Sequence, residues 1–124
     1  MKIFLILISL TLLVFGIIYL LSPEQFAAAA GLTGNASGMT DVRATYGGFQ
    51  IGFAAFLMYC AMNTKYAQVG LVALAFVLGA VGASRLVGIL VDGDFSGFHQ
   101  IGLGFEAIVT AISVYFLSTL PKED

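Results

Sequence analysis

The chain has 124 residues, of which 60% are apolar and only 10% charged, and its formal net charge is −2. A soluble domain carries about 25% charged residues, so lipid must cover much of this surface; the length fits one domain. The mild negative charge without a basic run excludes a nucleic-acid partner. The lone Cys60 excludes an internal disulfide, and with no Cys/His grouping at zinc spacing no metal or other cofactor is expected.

The first apolar run, 3–21, is interrupted only by small or mildly polar residues such as Ser9, Thr11, Gly16 and Tyr19. Followed by Ala27 to Ala30 it has a rival reading as a secretory signal, but it exceeds the usual signal core of roughly 7–15 residues and is read as a retained membrane helix. Ser22-Pro23-Glu24-Gln25 looks like a helix start, with Ser22 as N-cap and Pro23 in the first turn. Gly31 offers a stop, so a short interfacial helix is expected over 23–30. Residues 34–38 read as a flexible loop. Thr40 and Asp41 then begin a second span over 41–62. Asn63-Thr64 is a tight connection into a third span over 66–91, Asp92-Gly93-Asp94 is the next turn, and a fourth span covers 97–120. Each run is close to or above the roughly 20 residues that cross a hydrocarbon core, where only a helix or a closed barrel satisfies its own backbone. The ten-residue alternating pattern of a barrel is missing. The expectation is therefore all-α: one integral membrane domain over 1–124, a four-transmembrane-helix antiparallel bundle with a short interfacial helix between helices one and two.

Lys2, Lys65 and Lys122 fall at the N-terminus, the second loop and the C-terminal tail, which four crossings place on one side. The first and third loops carry Glu24, Asp92 and Asp94 and no lysine, so the positive-inside rule assigns both termini to the cytoplasm. Arg43 and Arg85 lie toward the opposite side, against that rule, which points to a role other than topology.

These arginines belong to a wider set. Arg43 and Gln50 are seven residues apart on one face of helix two, with Tyr46 and Gly47 between them; His99 and Glu106 are seven apart on helix four, continued by Thr110 and Ser113. At 1.5 Å per residue, Arg85 lies roughly 9 Å, and Gln50 and Glu106 roughly 13 Å, inside the outer edge. An unpaired charge at a helix centre costs about 2.5–3.5 kcal/mol, so Glu106 is expected to pair with Arg85, Arg43 or both. Arg43, Tyr46, Gln50, Arg85, His99 and Glu106 thus form one candidate polar cluster in the outer leaflet. The plain reading is a structural ion pair that fixes helix order. The functional one is a pocket for a lipid headgroup or a small polar or anionic solute, to which two arginines are suited. A proton relay through Glu106 is a narrower version. Small residues let helices approach closely in lipid; Gly47, Gly48 and Gly52 of helix two and Gly79, Gly82 and Gly88 of helix three are the packing candidates, with Gly102 and Gly104 opening helix four.

Arg43-Ala44-Thr45-Tyr46-Gly47-Gly48, then Arg85 with Gly88, Asp92-Gly93 and Glu106, preceded by Ser22-Pro23-Glu24, resembles the small bacterial membrane family called domain of unknown function 4345, over nearly the whole chain. The resemblance implies four helices in this order and a bacterial cytoplasmic (inner) membrane location, with no activity attached. A looser likeness to DoxX-like proteins is one of fold alone. Two roles follow as expectations: a module binding a lipid headgroup or small solute, or a non-catalytic accessory or structural subunit. The partners anticipated are the lipid bilayer, a bound lipid or solute, and a second copy of the chain or a larger membrane complex. Catalysis is not expected, because no Cys/His pair, serine-nucleophile motif, metal cluster or dinucleotide fingerprint is present.

Overall fold

The computed structural model describes residues 1–120; Lys122, assigned above to a cytoplasmic tail, lies outside them. The described residues contain no strand. The helices are α1 (Lys2–Leu21), α2 (Pro23–Ala29), α3 (Ala36–Val42), a π-helical segment (Arg43–Gly48), α4 (Phe49–Met62), a single 3₁₀ turn (Thr64–Tyr66), α5 (Ala67–Asp92) and α6 (Gly97–Ser118). Three helical stretches, Lys2–Leu21, Thr64–Asp92 and Gly97–Ser118, are long and apolar enough to cross a membrane. The chain forms two compact units, which divide between Ala67 and Gln68.

The first unit is an antiparallel hairpin of α1 against the helix that runs from α3 into α4. Its register is set by four contacts. Arg43 Nε donates to the Leu20 carbonyl at 3.1 Å, Gly47 meets the backbone of Gly16 and Leu20, Gly16 meets Ile51, and Ser9 Oγ donates to the Ala54 carbonyl at 2.7 Å. The Ser9 bond is buried and satisfies a hydroxyl that apolar surroundings would otherwise penalise. A Cβ on Gly16 would lie 2.8 Å from Ile51 Cγ1 and 3.0 Å from the Gly47 carbonyl oxygen; one on Gly47 would lie 3.1 Å from the Leu20 nitrogen. The two glycines therefore allow backbone-to-backbone contact. Gly48 and Gly52, the more obvious small-residue pair, make no such approach to α1.

Three local expectations change. Ser22 does not cap α2 with its side chain, and its ψ of 60° lacks the extended geometry of a cap. Its N–H instead closes the last turn of α1 on the Ile18 carbonyl at 2.8 Å. The segment 34–38 is largely helix rather than loop: α3 starts at Ala36, capped by Asn35, whose Oδ1 accepts the Gly38 N–H at 3.1 Å. Asparagine is among the strongest caps, and it pre-empts Thr40, whose hydroxyl turns back to the Ala36 carbonyl. Lastly, Arg43–Gly48 is wound as a π-helix. The Phe49 N–H bonds to the Ala44 carbonyl, five residues back, while Val42, Arg43, Gly48 and Phe49 all keep right-handed helical angles. The helix is thus continuous from Ala36 to Met62 but carries one widened turn. Tyr19, Ala27, Met39 and Val42 form a small core with Phe26 where α2 folds back on the hairpin.

The second unit is an antiparallel hairpin of α5 and α6. Gly79 faces Thr110, Gly82 faces Leu103 and Glu106, and Gly102 faces Arg85. Gly93 turns the chain between them with φ of 72°, as Gly31 does after α2 with φ of 75°, a left-handed region natural to glycine. A Cβ on Gly88 would meet, among the described residues, only Asp92 Oδ2 of its own helix, at 3.9 Å.

Replacing Gly47 with leucine should overpack the α1 crossing and lower stability by about 1–3 kcal/mol, whereas Gly52→Leu should change it little. Thermal unfolding of the two variants in detergent checks this ordering.

Candidate functional site

On α6, His99, Gly102, Glu106, Thr110 and Ser113 recur at three- and four-residue intervals and share one face. That face meets α5 along Gly79, Gly82 and Arg85. Glu106 is 5% exposed, one of few buried polar residues among those described. Its carboxylate accepts three bonds from Arg85: Nη2 to Oε1 at 2.6 Å, Nε to Oε2 at 2.9 Å and Nε to Oε1 at 3.1 Å. This forked, charge-assisted geometry is the strong form of an arginine–carboxylate pair. It depends on glycines from both helices. A Cβ on Gly82 would lie 3.2 Å from Glu106 Cβ, and one on Gly102 would lie 2.9 Å from Arg85 Cζ. The carboxylate stem fits against α5, and the guanidinium against the backbone of α6.

His99 extends the pair outward. Arg85 Nη1 lies 3.2 Å from His99 Nδ1. A guanidinium has only donors, so the geometry assigns Nδ1 as acceptor and the proton of the neutral ring to Nε2. Nε2 lies 3.7 Å from Asp94 Oδ2, while Asp94 Oδ1 accepts the Ser96 N–H at 3.0 Å. The polar chain therefore runs Asp94, His99, Arg85, Glu106, from the turn toward the interior of the hairpin. With neutral imidazole, the inner three side chains carry no net formal charge.

Deeper along the same face, a groove of about 310 Å³ opens beside the pair, lined by Leu78, Gly79, Ala83, Leu103, Ala107 and Thr110 among others, with Glu106 in its wall. Its size lies at the lower end of ligand pockets. Small residues on both helices create it. Thr110 Oγ1, also in this wall, is buried and has no hydrogen-bond partner among the described residues. Ser113, one turn on, returns its hydroxyl to the Val109 carbonyl at 2.8 Å.

Of the sequence candidates, Arg85, His99 and Glu106 come together directly. Arg43 and Tyr46 make their contacts within the first hairpin. Arg43 covers the carbonyl of Leu20 at the end of α1, and Tyr46 stacks on Tyr19 with ring centres 5.3 Å apart. Gln50 is half-buried in the first turn of α4. Two residues outside the candidate cluster gain significance. Gly102 holds the guanidinium, a role its spacing between His99 and Glu106 could have signalled. Asp94 sits beside the imidazole, a placement that no spacing in the sequence signals. No group of three or more His, Cys, Asp or Glu residues suited to a metal ion occurs among the described residues.

Residues 1–117 match the family described as Domain of unknown function (DUF4345). The chain belongs to this family. No curated protein and no solved structure matches it significantly. The DUF4345 family is of unknown function, so any activity has to be argued from the site.

Removing one partner of a buried pair strands the other charge, at a cost of about 3–5 kcal/mol, while replacing both with apolar groups is often neutral. Glu106→Ala should therefore destabilise the protein strongly, and Arg85→Met combined with Glu106→Leu should recover most of the loss. A double-mutant cycle by thermal unfolding in detergent checks both statements.

Proposed function

We propose that this DUF4345 protein is a four-span membrane protein whose α5–α6 hairpin binds an amphiphile, the apolar chain in the groove and the polar head at Arg85 and His99. The observation that carries this reading is the groove itself: an apolar furrow of about 310 Å³ with Glu106, the carboxylate of the ion pair, in its wall. A purely structural salt bridge needs no open furrow beside it. The groove follows the helix axes from Leu86 to Leu78, which at 1.5 Å per residue is about 12 Å, with Glu106 in its wall beside Gly82 and Thr110 beside Gly79. An acyl chain of a lipid fits such an apolar furrow, and Arg85, bonded to Glu106, is the nearest cation for its head.

The fourth crossing in this reading is the continuous helix Ala36–Met62, interrupted only by its π turn. Lys2 and Lys65 then lie on the cytoplasmic side of a bacterial inner membrane and the α5–α6 turn on the outer side. Single cysteines introduced at Lys65 and Ser96 in a Cys60→Ser background should react with an impermeant maleimide from opposite faces: Ser96 in intact spheroplasts, Lys65 only after lysis. Equal reaction from one face would overturn this topology.

Native mass spectrometry of gently extracted protein tests the binding. A lipid or small amphiphile should accompany the wild type and be lost in Arg85→Ala. It should also be lost in Ala107→Phe, which fills the groove while keeping both Arg85 and Glu106. An unchanged adduct profile in both variants would remove the proposal.

One observation favours a second reading, an accessory subunit of a larger membrane complex. Phe49, Phe53 and Phe56 form a ladder of stacked rings 6.0 and 6.3 Å apart on α4, beside Gly48 and Gly52, which α1 does not use. Phe49 and Phe56 are exposed, and such a face suits a second helix. Under this reading Gly52→Leu, though folded, releases a heteromeric partner in the same mass measurement.

A further inference from the structure

We propose that the end of the first hairpin formed by the start of α1 and the turn after α4 is a docking surface for anionic phospholipid headgroups, with Lys65 as its anchor and Tyr66 holding that lysine in place. The inference stands apart from the α5–α6 groove and goes beyond the amphiphile reading. It needs only that this turn meets a membrane surface.

The argument starts from where the charges fall. Lys2, Arg43 and Lys65 are the cations of the first unit, and Glu24 and Asp41 are its carboxylates. The antiparallel register sets Leu20 against Arg43, Gly16 against Gly47 and Ser9 against Ala54. Carried on to the start of α1, it brings Lys2 level with Ala61. Lys2 and Lys65 therefore share one end, and Glu24, Asp41 and Arg43 share the other. The sequence has no carboxylate between Asp41 and Asp92, so α4 and the turn after it offer Lys65 no anion of their own. Both lysines are exposed, and among the described residues neither is paired with a carboxylate.

The turn is built to present that charge. Asn63 closes α4 by donating twice to the Tyr59 carbonyl, from its backbone N–H at 3.2 Å and from its side chain at 2.8 Å. The Tyr66 N–H donates to the Asn63 carbonyl at 2.8 Å. Across the turn the Tyr59 and Tyr66 rings stack, with centres 5.5 Å apart and planes 26° apart. Lys65 Nζ lies 4.7 Å from the centre of the Tyr66 ring. A ring face attracts a cation through its quadrupole, so the ammonium is held in one place instead of sampling the reach of its stem. Less freedom is then lost when a phosphate binds. Tyrosine favours the headgroup level of a bilayer, and Ile3 and Met62, exposed at the same end, suit the acyl boundary beneath it. A positive surface of this kind fits an anionic headgroup, whereas a zwitterionic one brings a competing cation.

The chain has no tryptophan, so Met62→Trp supplies a single fluorophore at this turn and Phe95→Trp a control in the acidic α5–α6 turn. Full-length protein is reconstituted in phosphatidylcholine vesicles containing a minority of brominated phosphatidylglycerol or brominated phosphatidylcholine. Equal composition in both leaflets makes the result independent of which way the protein faces. Brominated phosphatidylglycerol should quench Met62→Trp more strongly, with a preference of about 5-fold per engaged lysine, weakened by salt. In that background Lys65→Gln should remove about this factor and Lys65→Arg restore it. Tyr66→Leu, which keeps the charge and removes the ring, should lose about 2- to 5-fold. Phe95→Trp should show no preference.

Equal quenching of Met62→Trp by the two lipids overturns the proposal, as does a preference unchanged in Lys65→Gln. An unchanged preference in Tyr66→Leu overturns the role of the ring. Glu123 and Asp124 lie outside the described residues; a preference that emerges only with Glu123→Gln and Asp124→Asn also overturns the proposal, because the tail and not lipid then covers Lys65. The groove is judged separately: Lys65→Gln should keep the native-mass adduct that Ala107→Phe loses.

Discussion

The second hairpin depends on keeping a carboxylate charged in apolar surroundings. Glu106 is 5% exposed, and without a partner it would cost several kilocalories per mole in a lipid-facing helix pair. Arg85 meets that demand with a two-pronged guanidinium, and the neighbouring sequence is arranged around the encounter. Gly82 brings the carboxylate stem against α5; Gly102 brings the guanidinium against α6; His99 receives the remaining face of the arginine. These requirements fix the register of α5 against α6, because a shift of one residue would rotate Glu106 by about 100° away from its partner. A lysine in place of Arg85 would supply the charge without the fork.

The first hairpin solves a different problem by similar means. Its helices carry no buried ion pair among the described residues, and association relies on close backbone approach at Gly16 and Gly47 and on the Ser9 bond to Ala54. In lipid, where apolar side chains gain little by leaving their surroundings, such contacts and interhelical hydrogen bonds replace the hydrophobic drive. Arg43 fits this economy by covering the Leu20 carbonyl at a helix end that lacks its own partners.

The sequence made the helical class legible, because runs of this length and apolarity have few other solutions. The Arg85–Glu106 encounter was readable from depth and charge, since buried opposite charges in lipid must find one another. The packing glycines were readable as a class but not individually: Gly47 and Gly82 make close contacts, whereas Gly48 and Gly52 do not approach α1, because a spacing motif does not say which helical face is used. The start of α3 was misplaced because Asn35 competes with Thr40 for the cap, and local propensity alone does not decide between them. The π turn was invisible because hydrophobic periodicity does not mark a single widened turn; Gly47, within it, packs against α1. Asp94 entered the site through a turn whose geometry no periodicity encodes.

That π turn has a further consequence. A helix that houses one residue more than an α-turn holds slack: if the turn tightens and passes that residue along, everything beyond it rotates by about 100° and advances by about 1.5 Å. The phenylalanine ladder of α4 lies immediately beyond it, while Arg43 at its start is held to α1. The segment Arg43–Gly48 therefore has the mechanics of a swivel, locked as long as Ile51 and Ala54 beyond it keep their contacts with Gly16 and Ser9, and π turns recur at functional positions in helices.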